Sequence, residues 1–155
     1  RIMTERQPDE ITTLAGGIEQ HWYYDRRIVV TRLQEVPNPD IDAALYAFAE
    51  SIHVNNVEWQ ASGGPYLALH DFTPIKVLPP MALSIVRRES AQTPKDIHGR
   101  IALLVQANSM GKFIVQTSKL LRLDAGNIDL AVRDFTDFDT AFAWLEEALH
   151  DFESH

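Results

Sequence analysis

Three places in the 155-residue chain carry residue types that could do chemistry. His70 and Asp71 close the run Tyr66 to Phe72, "YLALHDF", a general base and a carboxylate side by side. If the run is a strand, neighbours point to opposite faces, so the two form no dyad without a bend. His70 is then a lone general base or a structural histidine, and nothing beside it in sequence activates the ring. The second place is Asn108-Ser109-Met110-Gly111-Lys112, which follows an apolar run and opens a helix-like one, as phosphate-binding turns do. A nucleotide-hydrolysing loop needs G-x-x-x-x-G-K-[ST]; here the first glycine is missing and Phe113 fills the hydroxyl position. What remains is a weak anion site of Ser109 and Lys112, set against a plain capped helix with a solvated lysine. Third is Thr73, the one hydroxyl in "DFTPIKVLPPMAL" (71–83). As a phosphate acceptor it competes with an ordinary strand-end threonine before Pro74.

Other chemistries lack their residues. There is no cysteine, hence no disulfide or thiolate, and "G-x-S-x-G" is absent. The six histidines are scattered, and none makes an i, i+4 pair with a carboxylate base. No catalytic constellation, metal or cofactor is expected. Arg87 and Arg88 fall at a helix end, where the dipole favours cations without any ligand.

The elements that must position these residues follow from period and punctuation. Residues 1–17 lack a sustained period and end in two glycines, which predicts a flexible arm with at most one short ordered piece. "IEQHWYYDRRIVVTRLQEV" gives two β-rich runs about Asp25-Arg26-Arg27, a hairpin. Asn38-Pro39 caps a helix on Ile41, Leu45, Phe48 and Ile52, and Asn55, Asn56, Ser62, Gly63 and Gly64 mark the loop after it. Tyr66 to Phe72 is a strand, Met81 to Arg88 a helix, and Arg100 to Gln106 a buried strand. A helix follows on Met110, Phe113, Ile114, Thr117, Leu120 and Leu121. "IDLAVRDF" is the last strand. Thr136 to Asp139 resembles a capping box before the stripe Phe138, Phe142, Leu145, Leu149 and Phe152. The expected order is ββαβαβαβα: an α/β fold, a mixed, mostly parallel sheet with flanking helices, in one domain over 18–153.

Bulk properties narrow the partners. A hydrophobic share of 45% excludes a disordered chain, and no apolar run approaches the ~20 residues of a membrane span. The start shows no signal-peptide pattern, and with no cysteine a cytoplasmic location is the simplest expectation. A net charge of −8 points away from nucleic acid. Asp137, Asp139, Glu146, Glu147, Asp151 and Glu153 meet no Lys or Arg in their own segment, as a solvated helix face or a docking surface for a basic partner. His21-Trp22-Tyr23-Tyr24 places large aromatics on both faces of one strand. Trp22, Tyr23 and Tyr24 are therefore either core or a contact surface for self-association or another protein.

Two segments carry a family resemblance. "LALHDFTPIKVLPPMALSIV" matches the strand, Asp-Phe-Ser, turn, helix centre of the SpoIIAA-like, STAS-type domains. "VRDFTDFDTAFAWLEEAL" is similar to their last strand and "F-x-D-x-D-x-A-x-x-W-L" helix start. The resemblance covers about 18–149 and is nearest to the small bacterial SpoIIAA-like proteins of uncharacterised role. Regulatory members present an Asp-Ser-Ser-Gly-like turn at the helix start, where a kinase phosphorylates one serine. Laying Asp71-Phe72-Thr73 on the family's Asp-Phe-Ser puts Pro79, Pro80 and Met81 at that turn. Proline has neither a hydroxyl nor an N–H to hold a phosphate. The resemblance thus implies a non-enzymatic regulatory or protein-interaction domain without the phosphoacceptor serine, possible as a homodimer. Its contact loop would use Asp71, Thr73, Val77, Leu78, Pro80 and Met81. The alternative it implies is a Sec14-like domain holding a small apolar ligand or lipid beside Val77, Leu78 and Met81.

Overall fold

A computed structural model describes residues 6–33, 41–76, 84, 87–88, 97–125 and 129–154. The chain forms β1 (Glu10–Leu14), β2 (Ile18–Tyr23), β3 (Ile28–Leu33), α1 (Ile41–Ser62) and β4 (Tyr66–Asp71). It continues through β5 (Gly99–Leu104), α2 (Ser109–Ala125), β6 (Leu130–Phe135) and α3 (Phe138–Glu153). Ser84, Arg87 and Arg88, between β4 and β5, are helical.

The strands make one sheet in sequential order, β1-β2-β3-β4-β5-β6. The β1–β2 and β2–β3 pairs are antiparallel, and the β3–β4, β4–β5 and β5–β6 pairs are parallel. The fold is α/β with a mixed sheet, as the sequence implies, but with six strands where the expected order has five. The additional strand is the short ordered piece that the arm left room for. Its signal was Gly16-Gly17: both glycines take positive φ, 78° and 79°, which lets the chain reverse within three residues into β2.

Period-2 alternation sorts the strands' side chains to two faces. Tyr23, Ile28, Val30, Leu67, Leu69, Ala102, Leu104 and Phe135 form one buried face with Ala141, Phe142, Leu145 and Leu149 of α3. The opposite face packs Trp22, Val29, Tyr66 and Ala68 beneath Trp59 of α1, and Leu103 and Val105 beneath Ile114 of α2. Ile101 touches both of these last clusters, so α1 and α2 share a face. Burying a large aliphatic side chain contributes about 1.5–3 kcal/mol, so the β4 run from Tyr66 to His70, buried throughout, anchors the molecule.

Two boundaries and one buried position differ from the sequence reading. α1 runs through Asn55 and Asn56 to Ser62, because Asn55 is buried toward the sheet and Trp59, one turn on, stacks on Trp22 at 5.9 Å between ring centroids. Tertiary burial there outweighs the weak helix propensity of asparagine. The α3 cap is Asp137 rather than Thr136: its carboxylate accepts from the Thr140 amide at 2.9 Å and the Thr140 hydroxyl at 2.7 Å. Those bonds hold the Asp137 carboxyl below its ordinary value. Phe152, expected on the buried stripe, is exposed near the end of α3. The expected Asn38-Pro39 cap lies outside the described residues.

The β2–β3 connection is a single turn of left-handed helix. Tyr24, Asp25 and Arg26 take φ of 55°, 54° and 66°, and the Arg27 amide donates to the Tyr23 carbonyl at 3.1 Å. Such residues cost roughly 1–2 kcal/mol each, so the turn needs outside support. Asp9 accepts from the Asp25 amide at 3.0 Å, and the Arg26 guanidinium lies 4.2 Å above the Trp22 ring.

Candidate functional site

The carboxyl ends of parallel strands are where open α/β sheets place their ligands. Here the ends of β4 and β5 are tied into one surface. The Phe72 amide donates to the Leu104 carbonyl at 2.9 Å, which carries the β4–β5 ladder one residue past β4. Asp71 then folds the chain over itself: its Oδ1 accepts from the Thr73 amide at 3.0 Å and the Thr73 hydroxyl at 2.6 Å. Gln106, just past β5, donates from Nε2 to the Thr73 carbonyl. Its Oε1 accepts from Asn108 Nδ2 at 3.0 Å. Asn108 in turn caps α2, its Oδ1 accepting from the Gly111 amide at 2.9 Å. A five-residue chain, Asp71–Thr73–Gln106–Asn108–Gly111, thus runs from one strand end to the next helix.

Gly111 sets how closely that helix starts. A Cβ there would lie 1.9 Å from the Gln106 carbonyl oxygen, so only glycine lets α2 begin against the strand end. The glycine that resembled part of a nucleotide loop therefore serves packing. Ser109 and Lys112 are both exposed on this first turn. The Gly111 amide is committed to the Asn108 cap and the Lys112 amide to the Asn108 carbonyl at 3.1 Å, so the anion-site residues share their turn with an internal cap. Phe113, on the expected apolar stripe of α2, is instead 51% exposed beside them.

The sequence-derived residues distribute as follows. Asp71 and Thr73 come together with Ser109 and Lys112 through Gln106 and Asn108. Val77, Leu78, Pro80 and Met81, and with them the proposed apolar-ligand position, lie outside the described residues. His70 points away from this surface, opposite to Asp71. It is 6% exposed beneath α1, with Phe48 and Phe72 edge-on to its ring at 5.0 and 6.0 Å between centroids. Burial pushes its pKa down to about 4, so the ring is neutral at physiological pH. Trp22 and Tyr23 are 1% and 3% exposed and are packed into opposite faces of the core, where they have almost no area to offer a partner. Period 2 explains it: both faces of β2 are covered at that point. Tyr24 is half-buried and donates its hydroxyl to Glu146.

The acidic C-terminal segment acquires cations from distant parts of the chain. Glu146 pairs with Arg6, Glu153 with Arg27, and Glu147 with Arg100 at 3.2 Å. Arg6 also lies 4.4 Å above the Tyr24 ring, and Arg100 donates to the Trp144 carbonyl at 2.7 Å. Three carboxylates of this segment, read from the sequence as a solvated helix face or a docking surface for a basic partner, are thereby engaged within the molecule. Sequence reasoning missed Gln106 and Asn108 as connectors. The available signal was two amides just after an apolar strand and before a helix, a common place for side-chain capping.

Among the described residues no group of three or more His, Asp or Glu side chains is placed to hold a metal ion, and no helix is long and apolar enough to cross a membrane. In comparisons with known proteins, no family model, curated protein or solved structure matches the chain.

Proposed function

We propose that the chain is a non-enzymatic regulatory or protein-interaction domain of SpoIIAA-like, STAS-type architecture, and that its contact surface is the strand-end platform of β4, β5 and α2. The observation that carries this reading is the pairing of a rigid base with an exposed aromatic. The hydrogen-bonded chain from Asp71 to Gly111 fixes the backbone, and Gln106, Asn108, Ser109, Lys112 and Phe113 are exposed upon it. Interfaces favour this composition, an aromatic anchor within a polar rim held in place before binding. The hairpin before a run of alternating strands and helices, and the Asp-capped final helix with Trp144-Leu145, support the family likeness.

Thr73 is the candidate phosphate acceptor of this surface. Its Oγ donates to Asp71, so a phosphate there would face a carboxylate at hydrogen-bonding distance. Asp71 and Thr73 work as fixed contact residues rather than as a phosphorylation switch.

The test uses two full-length baits, wild type and Phe113→Ser, with quantitative comparison of the proteins each retains. At least one protein is retained by wild type and falls about tenfold on the variant, as for an anchor worth about 1.4 kcal/mol. Equal retention by both baits contradicts the reading.

A further inference from the structure

The charges of the chain are sorted along it. Residues 72–123 contain eight Lys and Arg, all four lysines among them, against only Glu89 and Asp96, a net charge of +6. The rest of the chain holds six basic residues and twenty acidic ones, a net charge of −14. The basic stretch takes in β5 and all but the last two residues of α2.

Within it, the outer face of α2 is both regular and open. Ser109, Lys112, Phe113, Gln116 and Lys119 are exposed at spacings of three, one, three and three, which places them on one stripe of the helix. Gly111 and Ile114, on the opposite side, are buried toward the sheet. No acid shares the stripe. Arg6, Arg26, Arg27 and Arg100 each have a carboxylate partner, whereas neither Lys112 nor Lys119 is in an ion pair among the described residues. Asp71, at the end of β4, is taken up by Thr73, and Asp134 sits on β6 beside Leu103, at the level of the sheet rather than on the helix.

Seven residues of helix rise about 10 Å, so Lys112 and Lys119 present two cations about that far apart, with Phe113 next to the first. A second helix laid along α2 matches this spacing when it carries carboxylates at i and i+7 and an apolar residue between them. A nucleic acid fits less well. It would bring a continuous polyanion to a molecule whose other charges sum to −14, and it would meet only two cations on the stripe. A short acidic helix brings its charge to the stripe alone.

We infer that the partner of the strand-end platform is an acidic, amphipathic helix that lies along the outer face of α2, with its carboxylates on Lys112 and Lys119 and its apolar side on Phe113. This rests on the reading of the platform as a protein contact surface and adds the chemistry of the partner.

The test titrates the full chain, labelled for NMR, at low salt, where surface charges are least screened. The probe is a helical peptide of alanine and glutamine carrying Glu at i and i+7 and Leu at i+4. The same peptide with Gln in place of both Glu, and oligodeoxythymidylate as a polyanion, are the comparisons. Saturable shifts at the Lys112, Phe113 and Lys119 amides are expected with the Glu peptide, and about fivefold weaker affinity for the Gln peptide. The chain carrying Lys112→Glu and Lys119→Glu, both at exposed positions, should instead prefer the Lys counterpart of the peptide. Equal affinity for the Glu and Gln peptides, or no saturable shift with the Glu peptide, overturns the inference. So does tighter binding of the oligonucleotide at the same amides. The contact-surface reading is decided separately, by the proteins retained on wild type and on Phe113→Ser: it survives a lost charge preference and falls if the two baits retain alike.

Discussion

At the scale of single residues, environment decides what each reactive side chain can do. His70 is the clearest case. Its folded-state pKa of about 4 lies below the ordinary value of 6.5, because the buried ring resists charge. Above pH 6.5 both folded and unfolded forms are neutral, and the group contributes no pH dependence. Between 6.5 and about 4 the unfolded chain takes up a proton that the folded one refuses, so stability falls as pH falls. The loss reaches about 2.5 kcal/mol at pH 4.5. Urea unfolding at pH 7.5 and 4.5 measures it, and His70→Leu should remove about that much of the difference. Gly111 makes a second test: Gly111→Ala places a methyl against the Gln106 carbonyl and should destabilise by about 2 kcal/mol or more. Serine at Phe113, an exposed site, should leave the thermal midpoint nearly unchanged.

At the scale of elements, the strands and helices with strong periods were legible and the supported ones were not. β4, β5 and the α3 stripe declare themselves through runs of apolar residues whose faces the sheet then buries. β1 does not, because Ile11 is 53% exposed and the strand exists through its ladder to β2 rather than through a buried face of its own. α1 was cut short at Asn55 because local propensity cannot register that Trp59 stacks on a strand nearly forty residues earlier. The α3 cap was misplaced by one residue, since Thr136 and Asp137 are both competent caps and geometry chooses between them. The left-handed turn after β2 gives a prediction at this scale. Asp25→Gly should relieve strained backbone and raise stability by up to about 1 kcal/mol in chemical unfolding, provided the Asp9 bond to the residue 25 amide survives.

At the scale of the whole molecule, one sheet carries two different surfaces. α3 closes one face, drawing its carboxylates to Arg6, Arg27 and Arg100 from three separate parts of the chain. No sequence pattern links Arg6 to Glu146 across 140 positions; the fold alone brings them together. Arg100→Ala, which removes both the Trp144 carbonyl bond and the Glu147 pair, should cost about 1–2 kcal/mol, readable by urea unfolding. The other face is covered by α1 and α2, and its strand ends converge on the platform of Asp71, Thr73, Gln106 and Asn108. The candidate residues Asp71, Thr73, Ser109 and Lys112 were legible as separate motifs. Their meeting through two amide side chains was not, since it depends on β4 and β5 being neighbours in the sheet. The central claim is that this platform is a protein contact surface. The most direct measurement places a photo-crosslinking side chain at position 109 and, as a comparison, at exposed position 151 of the full chain. A protein adduct that forms from position 109, not from 151, and disappears with Phe113→Ser is the result the account predicts. Adducts of equal yield from both positions, or none from 109, would contradict it.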